Sequence, residues 1–381
     1  MKITKIILTT ILIFIYVPLF ANDSTMNTGS MILEQEDMDA LIIKTPQNLR
    51  CDIKIKTHYE KKILVDYQIW AKAKSSAQEK RFIDLIEVKL DNKTGQANEP
   101  RLRVLAPTKA PWEGTDNSAG IKLNITIPED FKVYSHNSYS SVAMFGPFSD
   151  VEVFNEYGQI KIDNAAGDLV VKASYSPVEL SNIEGSVSIE TRYANIAGKN
   201  INISDSPGLF TTSHGSITLN NIKGPIEVNT SQNFIKVSDI DAGDGSIVLS
   251  TSYGLIKAVN VSGELVCETN YDSVELENIH LTHGMNKIET KYAPIIISLD
   301  TIDESQLLIN NAYSSIDVML ASDISAKLML TVDEGGKIHT QGFPIKPLAV
   351  DKNRLVGIIG NGLSKMEINI DGIGEINIRG R

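Results

Sequence analysis

The sequence predicts an all-β fold, a parallel β-helix whose coils have 18 or 21 residues each. Three observations predict it: a tyrosine recurs at that spacing, apolar pairs flank it, and turn residues recur with it. His214 and Gln232 fill the two gaps in the series. A fixed period of this length is typical of solenoids, in which each repeat packs on its neighbours. The tyrosines are Tyr139, Tyr157, Tyr175, Tyr193, Tyr253, Tyr271, Tyr292 and Tyr313.

Two apolar pairs accompany the tyrosines and predict two strands in each repeat. One pair stands three and five residues after the tyrosine, as Ile160 and Ile162 do after Tyr157. The other stands six and four residues before it, as Val187 and Ile189 do. Alternation with period two predicts strands with one buried face, and Ile and Val are favoured in strands.

The predicted turns also repeat. An Asn or Asp stands seven residues after most tyrosines, a Thr two residues before them, and a Gly ten residues after several. Glycine suits a backbone that needs positive φ, and stacked Asn amides can satisfy one another. The Asn and Asp residues are Asn164, Asn182, Asn200, Asn221, Asp239, Asn260 and Asn278. The glycines are Gly167, Gly185, Gly224 and Gly263.

Two other repeat folds fit less well. A β-propeller blade needs roughly 40 residues or more, and a leucine-rich repeat needs leucines and a helical segment in each unit. Neither describes an 18-residue unit that is rich in Ile, Val and Asn.

The first 21 residues have the pattern of a cleavable export signal. Lys2 and Lys5 precede an apolar stretch from Ile6 to Phe20, and Ala21 is a small residue suited to the cleavage site. The alternative is an uncleaved anchor, but the stretch is shorter than the ~20 residues that a spanning helix needs. We therefore expect an exported protein of the periplasm or cell surface, with no membrane span in the mature chain.

The charge argues against two classes of partner. Removal of the signal would change the formal net charge from −11 to −13, because the signal contains two lysines and no acid. An acidic exported protein is not expected to bind nucleic acid, nor to be attracted to anionic lipid.

The rest of the chain divides into four predicted parts. Residues 22–39 are polar and are predicted to be a loose segment. Residues 40–134 lack the repeat and are predicted to form an amino-terminal cap and the first coils. Residues 135–340 hold the repeats, and residues 341–381 are predicted to be the terminal coils. A cap is expected because a bare end of a repeat array exposes unpaired strand edges.

The cap is predicted to contain six strands and one helix. Ser76 and Glu79 have the spacing of a capping box, and the helix is expected to run to about Ile86 and to bury Phe82, Ile83 and Ile86. The predicted strands are Leu41–Ile43, Ile53–Lys56, Ile63–Trp70, Val88–Leu90, Leu102–Leu105 and Ile121–Ile127.

The two cysteines, Cys51 and Cys267, are expected to be free. Cys267 stands at an inward strand position where other repeats have Val or Ile, and Cys51 belongs to the cap. A disulfide requires Cα atoms within about 7 Å. We expect Cys267 to pack as a small hydrophobe.

The chain resembles the bacterial exported "putative adhesin" family, whose members have β-solenoid cores and no agreed active site. The resemblance rests on the export signal with the strand-rich cap, on Ile127-Pro128 before the repeats, and on the patterns in Tyr157–Ile162 and Asn182–Ile189. Tyrosine often stands here where that family usually has glycine. The resemblance covers nearly the whole mature chain and implies a surface or envelope module.

Parallel β-helices also include polysaccharide-processing enzymes, which need two carboxylates roughly 5–9 Å apart. The outward position four residues after the tyrosine holds isolated acids mixed with lysines, so neighbouring coils offer no pair. The residues there are Lys161, Glu179, Ala197, Thr218, Lys236, Lys257, Glu275, Ile296 and Asp317.

Metal and cofactor sites are not expected either. His280 and His283, with Asp272 or Glu289, form a weak candidate for a metal site, because a three-residue spacing in a loop is not specific. We expect no catalytic residue, no metal and no cofactor.

The tyrosines themselves are the candidate binding site, as an exposed aromatic strip for a glycan or an envelope protein. The alternative, which we favour, is that the rings stack from coil to coil and serve only the fold. The predicted function is a non-catalytic exported β-solenoid, an adhesin-like interaction or structural module of the envelope. A carbohydrate-active β-helix enzyme is the alternative. The candidate strip comprises Tyr157, Tyr175, Tyr193, Tyr253, Tyr271 and Tyr292.

Overall fold

The computed structural model describes residues 26–34, 38–91, 99–114, 116–204 and 206–381. In these residues the protein is all-β, with a single helix. Contacts divide the chain into two compact units, Met1–Ala166 and Gly167–Arg381. The predicted export signal lies outside the described residues.

The first unit contains nine complete strands and the helix in its described part. They are β1 (Met26–Glu34), β2 (Ala40–Lys44), β3 (Arg50–His58), β4 (Lys62–Lys72), α1 (Ser76–Ile83), β5 (Glu87–Asp91), β6 (Arg101–Leu105), β7 (Ser118–Pro128), β8 (Phe131–His136) and β9 (Ser140–Asn155). β10 (Ile160–Ala173) includes the boundary between the units. The six strands predicted for the cap are confirmed, because each lies within one of β2 to β7.

The amino-terminal segment differs from the prediction. Residues 22–39 were expected to be loose, yet Met26–Glu34 forms β1, which pairs antiparallel with β4 from Met26 opposite Trp70 to Glu34 opposite Lys62. All nine residues of β1 are exposed or half-buried, so the strand shows little of the apolar alternation by which strands are recognised. Backbone hydrogen bonds to β4 therefore hold the segment.

The helix is one residue out of register with the predicted cap and ends earlier. Ser75, not Ser76, is the N-cap, and its hydroxyl accepts a hydrogen bond from the Gln78 backbone N–H at 3.3 Å. The helix ends at Ile83 rather than near Ile86. The burial prediction is confirmed, because Phe82, Ile83 and Ile86 are all buried.

The repeats continue in the second unit as eighteen described strands. They are β11 (Val178–Glu190), β12 (Ile196–Ile203), β13 (Gly208–Thr211), β14 (Ile217–Lys223), β15 (Ile226–Asn229), β16 (Ile235–Ser250), β17 (Ile256–Glu268), β18 (Val274–Leu281), β19 (Met285–Thr290), β20 (Ile295–Ile302), β21 (Gln306–Asn311), β22 (Ile316–Leu320), β23 (Ala326–Val332), β24 (Lys337–Gln341), β25 (Lys346–Asp351), β26 (Arg354–Ile359), β27 (Ser364–Ile370) and β28 (Glu375–Gly380).

Successive repeats pair in parallel with a shift of one period. Ile196 lies beside Ile217, which lies beside Ile235, and Ile235 lies beside Ile256. These four residues are at most 1% exposed. Each buried side chain thus packs against its counterpart one repeat away, which explains the period-two apolar pattern. We call the strands of one repeat a layer.

The predicted turn residues adopt the unusual backbone that their identities suggest. All seven Asn and Asp residues named above have φ between 54° and 65°. Gly167, Gly185, Gly224 and Gly263 have φ between 92° and 139°. Asn and Asp tolerate the left-handed region better than other side chains, and glycine has no Cβ to clash there. The positive φ predicted for the glycines is confirmed, but the seven Asn and Asp residues lie inside strands between β10 and β18 rather than in turns that separate strands.

The predicted asparagine ladder is also confirmed. Asn200 Nδ2 donates to Asn182 Oδ1 at 3.1 Å, and Asn221 Nδ2 donates to Asn200 Oδ1 at 2.9 Å. Asn260 Nδ2 donates to Asp239 Oδ1 at 2.8 Å. Asn200 therefore both donates and accepts along the direction in which layers pair, and Asn260 does the same between Asp239 and Asn278.

The order of layers departs from the order of the sequence at the carboxyl end. β27 pairs in parallel with β21 on one side and with β23 on the other. In the same way, β28 pairs with both β22 and β24. The last two strands in the sequence, predicted as terminal coils within residues 341–381, therefore form an inner layer. β25 and β26 form an antiparallel hairpin, and β26 pairs with the edge of β23.

Both cysteines are free and buried. Desolvation raises the pKa of the Cys51 thiol to about 12, and desolvation raises the pKa of Cys267 as well. A thiol must ionise to react as a nucleophile, so neither cysteine has reactive character in the folded protein.

We expect the folded protein to resist thiol labelling. Ellman's reagent at pH 8 should leave Cys51 and Cys267 unmodified, because both are buried and protonated. After unfolding in guanidinium chloride, both should react. Absorbance at 412 nm reports the number of modified thiols. Rapid modification of the native protein at full stoichiometry would contradict the buried positions.

Candidate functional site

The tyrosines of the candidate strip stack on one another in rows. In the first unit, Tyr139 and Tyr157 have ring centroids 4.7 Å apart and planes within 5° of parallel. In the second unit, one row comprises Tyr175, Tyr193 and His214, with centroid distances of 4.8 and 4.7 Å. A second row there comprises Tyr253, Tyr271, Tyr292 and Tyr313, with distances from 4.8 to 5.4 Å.

The threonines two residues before the tyrosines hold the turns that present these rings. Thr212 Oγ1 donates to the Ala194 carbonyl of the previous layer at 3.2 Å and accepts from the Gly215 N–H. Thr251 makes the equivalent bonds at 3.2 and 3.3 Å. Because neighbouring strands lie about 4.8 Å apart, equivalent rings on identical turns stack directly.

Stacking determines which part of each ring a ligand can reach. Tyr271 is 54% exposed although Tyr253 covers one of its faces and Tyr292 the other. Its exposed surface is therefore the ring edge and the hydroxyl. A sugar packs on an aromatic face, because its C–H groups meet the negative π-cloud there. Rings inside a row cannot offer that contact, and only a ring at the end of a row can.

The ends of the rows differ. At Tyr313 the backbone of Gly372 lies against the ring, since a Cβ on that glycine would be 3.0 Å from Tyr313 Cδ1. Between His214 and Tyr253, the position of the series that would hold a ring is occupied by Gln232, which has none. Tyr139, at the start of its row, lines a cavity in the first unit.

A polar groove of about 530 Å³ follows the turns just before the second row of the second unit. Glu268 and Glu289 line it, and Lys287 lies 2.9 Å from the first and 2.8 Å from the second. Hydrogen bonds to Glu289 and Glu268 raise the pKa of Lys287. Asn310 Nδ2 also donates to Glu289 at 2.6 Å. Both carboxylates therefore serve a structural ion-pair network, which suits neither of them to act as a general acid.

Sequence reasoning missed this groove. Two glutamates and one asparagine of the groove stand three residues before a tyrosine of the series, and these are Glu268, Glu289 and Asn310. Aligning that column of the repeats would have shown a run of polar residues on consecutive layers.

The outward row considered for catalysis contains no adjacent carboxylates where its pairing is described from β16 to β22. Glu275 lies beside Lys257 on one side, with Nζ and Oε2 3.0 Å apart, and beside Ile296 on the other. Asp317 lies beside Ile296 and accepts a hydrogen bond from Asn377 at 3.0 Å. This row therefore does not provide the acid and base of a glycosidase.

His280 and His283 contact different residues in the structure. His280 Nε2 lies 3.3 Å from Asp300, and His283 Nε2 lies 3.1 Å from the Asp244 carbonyl oxygen. Of the other two candidates, Glu289 pairs with Lys287, and Asp272 accepts from the Ser273 N–H. Within the described ranges, no three metal-ligating side chains come together. The four residues do not form the common site considered above.

The single helix in the described residues, α1, lacks the length and apolar character needed to cross a membrane.

Comparison with known proteins adds only distant similarities. No family model and no curated protein matches the chain. A solved structure described as a "putative cell adhesion protein" from Clostridium sporogenes is 12% identical, with a TM-score of 0.20, and covers 94% of this chain and 100% of its own. A "putative adhesin" from Parabacteroides distasonis is 10% identical, with a TM-score of 0.25, and the match covers 93% and 98% of the two chains.

The chain is therefore distantly similar to solved structures that are described as a putative cell adhesion protein and a putative adhesin. This agrees with the resemblance noted in the sequence. A "putative lipid binding protein" from Parabacteroides distasonis is also similar, at 12% identity and a TM-score of 0.20 over 92% of this chain and 96% of that one. Similarities this remote do not decide between functions.

Proposed function

We propose that the protein is a non-catalytic, exported parallel β-solenoid that acts as an adhesin-like interaction or structural module of the cell envelope. A glycan or an envelope protein is the proposed partner. The observation that carries this proposal is that surface lysines and glutamates of several successive layers form ion pairs with one another.

The parallel pairing supports the solenoid. From Val178 beside Ile196 to Ile295 beside Ile316, strands pair with counterparts 18 or 21 residues away. Stacked repeats of this kind create a long surface on which a partner can make many equivalent contacts.

The pairing of charges argues against the enzyme alternative. Lys257 faces Glu275, and Lys287 lies between Glu268 and Glu289. A glycosidase needs a carboxylic acid of raised pKa next to a second free carboxylate. On these layers lysines pair with the glutamates at 2.8–3.0 Å, so the glutamates suit stability and recognition rather than proton transfer.

Two assays on the mature protein test the proposal. Co-sedimentation with envelope fractions of the bacterium that produces it should show saturable binding, and heat-unfolded protein is the control. Incubation with a panel of polysaccharides should release no reducing ends and no unsaturated products beyond a protein-free blank. Sustained product formation, or a lack of saturable envelope binding, would refute the proposal.

The favoured interpretation of the tyrosine rows is tested by Tyr271→Ala. Loss of two ring stacks and of the buried ring area should lower the free energy of unfolding by about 1–3 kcal/mol. Thermal unfolding followed by circular dichroism measures the change. Envelope binding should persist in the folded variant. Lost binding with an unchanged melting temperature would mean that the row serves recognition rather than the fold.

A further inference from the structure

We propose that the cavity beside Tyr139 binds a neutral saccharide, with one sugar ring stacked on the Tyr139 face that turns away from Tyr157. This inference rests on the proposed function, since it gives the envelope module a ligand class and a site. The cavity has a volume of about 750 Å³ and lies within the first unit. That volume is in the range of small-molecule sites.

Tyr139 differs from the rings inside a row because one of its faces has no ring partner in the described part of the chain. Tyr157 covers the other face at 4.7 Å. In the preceding layer Cys51 pairs with Ser140, so Arg50 takes the position where the row would otherwise continue. The Arg50 side chain is 67% exposed and lies 3.5 Å from Asp52. Both Arg50 and Tyr139 line the cavity.

The part of the cavity lining that Trp112 forms is held in place by hydrogen bonds and ring packing. Trp112 lines the cavity and is buried, and its Nε1 donates to the Asn48 carbonyl at 2.9 Å. Asn48 Nδ2 donates in turn to the Pro107 carbonyl at 2.7 Å. Phe82 packs edge-on against Trp112, with centroids 5.7 Å apart. A rigid wall lowers the entropy lost on binding.

The charges of the lining favour a neutral sugar over an acidic one. Arg50 is the sole cationic side chain among the described lining residues, and it is offset by Glu113 and Glu156. A uronic acid would meet two carboxylates for one guanidinium, which gives no net attraction. Neutral hydroxyls can donate to the carboxylates and accept from Arg50 and from the Gln47 amide, which also lines the cavity.

Calorimetry and saturation-transfer NMR on the mature protein test the inference. The probes are cellotetraose, chitotetraose and mannotetraose, with tetragalacturonate as the acidic comparison. We expect at least one neutral tetrasaccharide to bind with a dissociation constant of about 1 mM or tighter. Tetragalacturonate should bind more weakly than that tetrasaccharide.

Variants then locate the site. Tyr139→Ala should weaken binding about tenfold or more, whereas Tyr139→Phe, which keeps the ring face, should retain it. Tyr271→Ala removes a tyrosine from inside another row and is the matched control that should bind normally. Arg50→Gln is a second variant, which removes a polar contact at an exposed position and should also weaken binding. It tests the site even if Tyr139→Ala does not fold.

Three results would overturn the inference. The first is that no neutral tetrasaccharide binds at millimolar concentration. The second is that Tyr139→Ala and Arg50→Gln both bind as the unchanged protein does. The third is that Tyr271→Ala weakens binding as much as Tyr139→Ala. If sugar binding fails while saturable envelope binding persists, only this inference falls and the proposed function stands.

Discussion

Removal of residues 362–381 is expected to unfold the carboxyl-terminal layers of the second unit rather than to shorten the repeat array by one layer. The truncation deletes β27 and β28, which together pair with four other strands. It also removes five side chains that are at most 1% exposed. Their burial contributes roughly 8–15 kcal/mol by transfer free energy, which is comparable with the whole stability of a domain. The five are Met366, Ile368, Ile370, Ile376 and Ile378.

Guanidinium unfolding followed by circular dichroism, with size-exclusion chromatography, measures the effect. We expect an early or non-cooperative transition and aggregation through the strand edges that the truncation exposes. The matched control deletes residues 26–34, the strand β1, which pairs only with β4 in the described part of the chain and buries no side chain fully. That deletion should cost much less. If the carboxyl-terminal truncation kept the melting temperature of the full chain, the inner position of β27 and β28 would be wrong.

Asn200→Val should destabilise the protein by about 2–5 kcal/mol. Asn200 has φ of 55°, and a β-branched side chain in the left-handed region costs roughly 1–2 kcal/mol. The substitution also removes the hydrogen bonds to Asn182 and from Asn221, each of which contributes about 0.5–1.5 kcal/mol. Denaturant unfolding gives the change in free energy.

Two further variants separate the causes. Asn200→Gly loses the same hydrogen bonds but accepts positive φ, so it should be less destabilising than Asn200→Val by about 1–2 kcal/mol. Asn202→Val changes the same residue type two positions along β12, at an exposed strand position, and should be nearly neutral because strands favour Val. If Asn200→Val and Asn202→Val lowered the free energy of unfolding equally, the backbone conformation at Asn200 would carry no cost.

Much of the turn geometry could be predicted from the sequence because it depends on single residues. An Asn or Gly that recurs at one place in every repeat indicates positive φ there, and the structure has it at each such position. The stacking of Tyr253 on Tyr271 follows from the same regularity, since equivalent residues on paired layers lie one strand spacing apart. The strand β1 could not be predicted, because it buries no face and, among the described residues, has one strand neighbour.

The candidate site was predicted only in part. The sequence placed the tyrosines in one series but could not show which ring faces stay open. The inner rings present their edges. Of the described tyrosines in the series, only Tyr139 lines the cavity, together with Gln47, Arg50 and Trp112. These residues are separated in the sequence by up to 92 positions, so no spacing rule relates them.

The sequence by itself determined the all-β class, the 18- or 21-residue period, the buried face of the repeat strands and the residues with positive φ. Each of these is local, because it repeats within one period and depends on backbone preference and apolar alternation. Only the tertiary structure decided the order of layers at the ends and the cavity beside Tyr139. Strands with the same Ile-x-Ile pattern can pair with one another almost equally well, so long-range packing selects which of them are neighbours.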